Sequence, residues 1–166
     1  MAPSNAKSPA EFAELFRSVI RVGFNWKRFF EEKWPIELVT LASQEDLSRC
    51  FMPWYIGPNG NEVAYDDPKA VPIRLDDVPK SIGILNEEHR RDIQKYVELF
   101  HNQKDTIKFN APTYQLPNNC YFILDRNHRL AALAVHSLPF EVTLSNVRGP
   151  LKPDCLLDLI HWIPSL

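Results

Sequence analysis

The stretch from residue 120 to residue 138 constrains the fold more than any other part of the chain. Residues 121–124 are a short run of bulky apolar side chains, which is typical of a buried strand. Polar residues follow, and Leu130, Leu133 and Ala134 then recur at the spacing of one helix face. The sequence therefore predicts a strand that turns directly into a helix, with polar side chains at the helix amino terminus.

This polar turn is a candidate anion-binding site. The N–H groups of a first helical turn have no intrahelical partner, and the helix dipole is positive there. Arg126, His128 and Arg129 would add charged donors for an anion. Asp125 repels an anion unless it caps the helix, holds a neighbouring cation, binds a metal ion or acts as a base. In the structural alternative, Asp125 or Asn127 only caps the helix and the cations are solvated. Spacing alone leaves both interpretations open.

The same turn resembles a family signature. Residues 125–129 read Asp-Arg-Asn-His-Arg and precede Leu-Ala-Ala-Leu, which resembles the Asp-Gly-x-His-Arg-x-x-Ala signature of the ParB/sulfiredoxin-like superfamily. That superfamily includes ParB partition proteins, sulfiredoxins, free serine kinases and ParB-like nucleases. The order of predicted elements over residues 71–150 agrees with it: a strand, a long helix after Asn86, a strand near Ile107, the signature, and a strand over 140–144. The resemblance implies an α/β (α+β) fold, a small mixed sheet with flanking helices.

The resemblance also implies roles for single residues. In its kinase and sulfiredoxin members the signature His-Arg holds nucleotide phosphates, which assigns phosphate binding to His128 and Arg129, with Arg126 and Asn127 beside them. The signature Asp activates a substrate hydroxyl or supports magnesium, so Asp125 is the candidate catalytic and metal-binding carboxylate. The implied cofactors are Mg²⁺ and ATP or CTP.

A second acidic residue is expected earlier in the chain, because the serine kinases use one there. Glu87, in the first turn of the helix capped by Asn86, is taken as the candidate catalytic partner. Glu88, Asp76 and Asp77 are alternatives that the sequence does not separate from it.

Three departures from the family pattern limit the implied activity. Asn127 stands where sulfiredoxin has its nucleophilic cysteine, which disfavours sulfinic acid reduction. The arginine motif and the helix-turn-helix of ParB are not evident, which disfavours chromosome partition. Arg126 replaces the signature glycine, where it either adds a phosphate contact or crowds the backbone at the phosphate site.

Composition narrows the class of protein. The chain has 166 residues, of which 45% are hydrophobic, and its net charge of −2 lacks the basic excess of a non-specific nucleic-acid binder. No apolar run is long enough to cross a bilayer, and the amino terminus lacks a signal-peptide core, so no membrane partner is expected. Three widely spaced cysteines show no metal-ligand pattern and indicate free thiols in a reducing compartment, so the predicted location is cytoplasmic.

The chain is predicted to divide near residue 66. Residues 1–66 are expected to form a helical, Pro- and aromatic-rich extension packed on the core, and residues 67–166 to form the ParB/sulfiredoxin-like domain. Residues 1–7 read as a flexible tail, and Ser8 and Asn25 as caps of the first two helices. Other predicted elements are a strand at 36–41, a helix start at Ser43, a hairpin turn at 58–61 and a final helix over 156–163.

The leading hypothesis is a small nucleotide-dependent enzyme, either a phosphotransferase to a small hydroxyl substrate or an NTP hydrolase. A pocket covered by the aromatic amino-terminal region would favour it. The second hypothesis is a ParB-like nuclease or DNA-binding regulator, which a basic face near Arg126, Arg129 and Arg148 would favour. The third is a non-enzymatic interaction protein on the same fold, which a blocked helix amino terminus would favour. Oligomeric state stays open.

Overall fold

The computed structural model describes residues 8–164, and within that range a seven-stranded mixed sheet lies between two sets of helices. The strands are β1 (Ile36–Leu41), β2 (Cys50–Ile56), β3 (Glu62–Val63), β4 (Val71–Arg74), β5 (Ile107–Leu116), β6 (Cys120–Ile123) and β7 (Phe140–Val147). The helices are α1 (Pro9–Phe16), α2 (Trp26–Glu32), α3 (Gln44–Leu47), α4 (Val78–Ser81), α5 (Glu87–His101) and α6 (Asn127–Val135). The predicted α/β (α+β) class is confirmed.

The sheet is mixed because two of its neighbouring pairs run parallel. Its order is β1-β7-β5-β6-β2-β3, with β4 also paired to β2. β5 runs parallel to β7, and β6 runs parallel to β2, whereas the remaining pairs are antiparallel. The predicted strand at 36–41 and the hairpin across 58–61 are confirmed as β1 and as the β2–β3 pair.

Alternate side chains of the sheet enter two separate cores. In β6, Tyr121 and Ile123 pack on the face that α5 and α6 cover, whereas Phe122 packs on the opposite face with α1 and α2. The second core is mainly aromatic and includes Phe12, Phe16, Phe24, Phe29, Trp34 and Tyr114. Burial of both faces explains why the strands carry apolar residues at consecutive positions.

Four helices begin at the caps that the sequence predicts. Side-chain oxygens accept a first-turn N–H at Ser8, Asn25, Ser43 and Asn86. The turn into α6 differs from the prediction, because its N-cap residue is Arg126, and neither Asp125 nor Asn127 caps the helix. Arg126 takes a left-handed conformation, and its guanidinium engages the Asp125 carboxylate, so that carboxylate is directed away from the capping position.

The first 66 residues are not the helical extension that was predicted. β1, β2 and β3 all lie within them, and β1 pairs along its whole length with β7. This pairing satisfies the backbone groups of β1 that face β7. The apolar ends of β1, Ile36 and Leu41, are buried. Helix accounts for this segment only around α1, α2 and the single turn of α3. The tail predicted at residues 1–7 lies outside the described range.

The predicted final helix is also shorter than its apolar pattern indicated. Only a 3-10 turn, Leu157–Ile160, forms there. The preceding residue, Leu156, bridges to Phe24 as an isolated pair of extended residues, which holds the backbone out of a helical conformation. Across residues 8–164, no helix is both long and apolar enough to cross a membrane.

The neighbours of β2 determine where the site lies. Tyr55 and Ile56 each pair with both β3 and β4, so those two strands occupy opposite edges of β2. Phe51 pairs with both β4 and β6, so β6 also lies on the edge of β2 opposite β4. β6 and β3 therefore occupy successive parts of the same edge of β2. Trp54 lies on β2 between those two pairings, and the chain leaves β6 beside this gap to begin α6.

Candidate functional site

A cavity of about 580 Å³ lies at the amino terminus of α6. All five residues of the 125–129 signature line it, together with residues of α5 and of the segment that follows α1. Its volume falls within the range of roughly 300–1,000 Å³ that is usual for small-molecule sites. The structure therefore brings together five of the six residues that the sequence singled out, Asp125, Arg126, Asn127, His128 and Arg129.

The backbone at Arg126 has a conformation that favours glycine. Arg126 has φ 70° and ψ 27°, which is the left-handed region that glycine adopts without steric cost. The next residues, Asn127, His128 and Arg129, form the first turn of α6, where N–H groups lack intrahelical acceptors. The guanidinium of Arg126 binds the carboxylate of the preceding residue, Asp125.

Three arginines line the cavity, and aromatic rings support two of them. The Arg129 guanidinium lies 5.4 Å from the ring centre of Tyr96, and that of Arg126 lies 5.9 Å from the ring centre of Phe16. Arg126 also binds Asp125, with Nη1 2.7 Å from Oδ2. Within residues 8–164, Arg21 and Arg129 form no ion pair, so both positive charges stay available to an anion.

Two histidines meet at the inner wall of the cavity. Nδ1 of His89 lies 3.0 Å from Nε2 of His128, and the Trp54 ring packs on both imidazoles, with centroid distances of 4.3 and 5.3 Å. Oε1 of Glu62 lies 3.4 Å from Nε2 of His89. Burial lowers the pKa of His128 below its ordinary value, and the neighbouring His89 lowers it further. His128 is therefore held in its neutral form.

Sequence reasoning did not find His89, Trp54 or Glu62. His89 and His128 are 39 positions apart in the chain, and only the packing of α5 against α6 brings them together. No local sequence pattern carries that information.

The acidic residues that the sequence suggested differ in whether they line the cavity. Glu88 lines the cavity, and so does Asp92, which the sequence did not single out. Glu87 is exposed at the start of α5 and does not line it. Asp76 binds Arg74, with Nε 2.5 Å from Oδ1, outside the cavity.

Asp77 also lies outside the cavity, with Oδ2 3.9 Å from Nε of Arg74. Of the four earlier carboxylates considered, only Glu88 therefore joins Asp125 in the cavity wall. The two acidic residues after β4 serve the local turn, as their common use in turns would suggest.

The cavity wall fits a magnesium ion only when phosphate oxygens complete its coordination. Among residues 8–164, no group of three or more His, Cys, Asp or Glu side chains is placed to hold a metal ion. Magnesium commonly binds through one or two carboxylates together with substrate phosphates. Asp125, Glu88 and Asp92 are the carboxylates that line this cavity. Oδ1 of Asn127, a residue of the same wall, is buried without a hydrogen-bond partner.

The thiols of the three cysteines lie outside the cavity. Cys50 and Cys155 are buried, Cys120 is partly exposed, and all three are free. Burial raises the pKa of Cys50 to about 12, which keeps it protonated and unreactive. None of the three lines the cavity.

No protein-family model, curated protein or solved structure matches this chain, so the resemblance to the ParB/sulfiredoxin-like superfamily depends on the signature residues and their geometry alone.

Proposed function

We propose that this protein is a small nucleotide-dependent enzyme that binds an NTP with Mg²⁺ in the cavity at the amino terminus of α6. It would transfer the terminal phosphoryl group to a small hydroxyl substrate or to water. One observation carries the proposal: three arginines and three carboxylates line the same cavity beside the first turn of a helix. Superfamily membership is part of this proposal, and the left-handed backbone at the signature glycine position supports it.

The cations suit the phosphate groups of the nucleotide. The first-turn N–H groups of Asn127 to Arg129 would donate to phosphate oxygens, and the helix dipole favours negative charge there. Arg129 and Arg21 would contribute charge that no carboxylate in the described part of the chain neutralises. Phosphoryl transfer depends mainly on positioning and charge neutralisation, which these groups would supply.

The carboxylates suit the metal ion that accompanies a nucleotide. The chemistry that Mg²⁺ would supply when bound is neutralisation of the charge that develops on the phosphate oxygens. Asp125 would be its first protein ligand, with Glu88 and Asp92 across the same cavity. Glu87, which points to solvent, would not take part directly.

The mixed charge of the cavity weighs against the nuclease or DNA-binding alternative. A surface that tracks a nucleic-acid backbone is dominated by positive charge, whereas here acidic and basic residues are equal in number. Arg148, which would have extended a basic face, lies outside the cavity, with Nε 3.5 Å from Oε2 of Glu37. Residues 18, 19 and 21 of the amino-terminal region line one side of the cavity, although none of them is aromatic.

The interaction-protein alternative is also weaker, because the first turn of α6 opens into a cavity of about 580 Å³. The three free thiols, two of them buried, would suit a reducing compartment, and a cytoplasmic location is part of this proposal.

Thermal melting with a panel of nucleotides tests the proposal. ATP or CTP with Mg²⁺, at about 100 times its dissociation constant, should stabilise the wild type by about 2.7 kcal/mol and raise its Tm by roughly 5–10 °C. Arg129→Ala should lose the shift. Arg90→Ala, on the exposed surface of α5, should keep it. An unchanged Tm with every nucleotide would rule out the enzyme.

A further inference from the structure

We propose that Glu62, His89 and His128 form a hydrogen-bonded chain, here called the relay, that orients His128 so that its Nδ1 takes the proton from the hydroxyl group that attacks the phosphate. This inference rests on the proposed function and assigns the general base of the same cavity. His128 would be the catalytic residue, and His89 and Glu62 would position it. Asp125, the base expected from the sequence, would be left to the metal ion.

The relay joins three elements of the fold. Glu62 is on β3, His89 is in the first turn of α5 and His128 is in the first turn of α6. The contacts run in series: 3.4 Å from Glu62 Oε1 to His89 Nε2, then 3.0 Å from His89 Nδ1 to His128 Nε2. The chain of contacts ends at the cavity, because both histidines line it.

The order of the contacts determines where the protons lie. An ionised carboxylate only accepts hydrogen bonds, so Glu62 favours a proton on Nε2 of His89. With that proton on Nε2, Nδ1 of His89 is the acceptor in the contact between the rings, and Nε2 of His128 is the donor. The remaining nitrogen, Nδ1 of His128, carries no proton and has no hydrogen-bond partner within residues 8–164. It is therefore free to accept a proton at the cavity wall.

The surroundings keep the relay in one orientation. The backbone N–H of Asn86 donates to Oε2 of Glu62 at 2.7 Å, and Oδ1 of Asn86 accepts the N–H of His89 at 2.8 Å. Trp54, which is 5% exposed, packs against both imidazole rings. A base whose rotamer is fixed by packing and by hydrogen bonds needs little reorganisation when it reacts.

The charges around His128 keep it a neutral acceptor. On α5, His89 opposes its protonation, whereas Glu88 and Asp92 favour it, and on its own turn Asp125 also favours it. Burial, increased by the Trp54 ring of β2, outweighs those carboxylates, and the pKa of His128 falls below its ordinary value. A base of this kind is unprotonated at neutral pH, which general base catalysis requires.

The step balances as follows. The attacking hydroxyl gives its proton to Nδ1 of His128 while its oxygen forms a bond to the terminal phosphorus. The bond from that phosphorus to the bridging oxygen breaks, and the electron pair leaves with the nucleoside diphosphate. The resulting imidazolium keeps its hydrogen bond to His89 and loses its proton to solvent afterwards. No oxidant or reductant is needed.

The first test needs no nucleotide. Full-length protein with ¹⁵N-labelled histidine is observed by imidazole NMR at pH 8. The relay predicts a proton on Nε2 and none on Nδ1 for both His89 and His128, with scalar coupling across the N–H···N bond between the rings. A proton on Nδ1 of His128 would overturn the relay, whatever the protein binds.

The second test measures phosphate release from MgATP and MgCTP over pH 5–9. His128→Gln should lower kcat by about 10²–10⁴-fold with little change in KM, since general base catalysis contributes about that much. His89→Gln should lower kcat by about 10-fold and move the acid limb of its pH profile. His101→Gln, on the same helix outside the cavity, is the matched control and should behave as wild type.

The outcomes separate the base from the function. If the wild-type protein turns over and His128→Gln has the same kcat, His128 is not the general base, and the proposed function still stands. No phosphate release together with no nucleotide-induced rise in Tm would overturn both the function and the base, while the tautomers measured by NMR would still report on the hydrogen-bonded chain itself.

Discussion

His128 shows how the environment of one residue sets its chemistry. An exposed histidine has a pKa near 6.5 and is half charged there. In this fold the ring is buried against Trp54, and its Nε2 is bound to His89, so its pKa is lowered. The same burial that makes it a neutral base also couples its protonation to folding.

We therefore predict that stability falls in mild acid because of His128. A lowered pKa in the folded state means that the contribution is fully present above pH 6.5 and is lost as pH falls through the lowered pKa. Urea unfolding between pH 8 and pH 4.5 measures this loss. His128→Gln should flatten the profile, whereas His161→Gln, at an exposed position, should not. Equal slopes in all three proteins would contradict the assignment.

Arg126 provides a second prediction for a single residue. Arg126 has a left-handed backbone, which costs a non-glycine residue about 1–2 kcal/mol. Glycine avoids this cost, but its greater conformational entropy in the unfolded state offsets part of the gain. Arg126→Gly and Arg126→Ala both lose the contacts to Asp125 and Phe16. The difference between their free energies of unfolding therefore measures the effect of the backbone conformation alone. The glycine variant should be more stable by about 0.5–1 kcal/mol in urea unfolding. An alanine variant of equal or greater stability would show that the turn is not strained.

Among the elements, the carboxy-terminal 3-10 turn is tied to the sheet through a buried polar contact. The Tyr55 hydroxyl on β2 donates a hydrogen bond to the Asp158 carboxyl group, and burial raises the pKa of both groups. Asp158 is only 5% exposed. Removing the donor would leave a buried carboxyl group without its partner.

Tyr55→Phe should therefore destabilise the protein by about 1.5–3 kcal/mol, the range for a hydrogen bond to a charged group. Chemical unfolding at pH 7 measures the change. Tyr65→Phe is the matched control, because within the described range its hydroxyl forms no hydrogen bond, and it should shift stability by less than about 0.5 kcal/mol. If both variants changed stability by a similarly small amount, the buried Asp158 carboxyl group would not need the hydrogen bond from Tyr55.

The elements also show how far sequence reasoning reaches. Caps such as Ser8 and Asn86, and the strand-to-helix turn at residue 125, are local patterns that the sequence predicted correctly. The failures lie where distant contacts override a local pattern. The apolar spacing of residues 156–163 indicated a helix, but the bridge from Leu156 to Phe24 keeps most of it irregular.

Over the whole molecule, the sheet joins the two halves of the chain. β1 and β2, from the first 66 residues, flank β7, β5 and β6 of the later part, and α1 and α2 pack on one face of the sheet. The sequence could indicate each of these elements but not their partners, because strand pairing between residues about 100 positions apart leaves no local pattern. For the same reason, the signature turn was found and the partners of His128 were not.

This architecture predicts one cooperative unfolding transition. Phe12 is fully buried among aromatic side chains of the second core, so Phe12→Ala should cost about 3–5 kcal/mol. Far- and near-ultraviolet circular dichroism should shift together in urea. Phe30→Ala, at a position that is 36% exposed, should cost clearly less. Two separated transitions in Phe12→Ala would instead indicate an amino-terminal unit that unfolds alone.

The central claim is that the cavity at the start of α6 receives the phosphates of a nucleotide. Amide ¹H–¹⁵N NMR of the full-length protein, titrated with MgATP and with MgCTP, tests it residue by residue. The account predicts that one of the two gives saturable shifts, largest at the amides of Asn127, His128 and Arg129, and that Arg129→Ala weakens them. Saturable shifts confined to other regions, or none with either nucleotide, would contradict it.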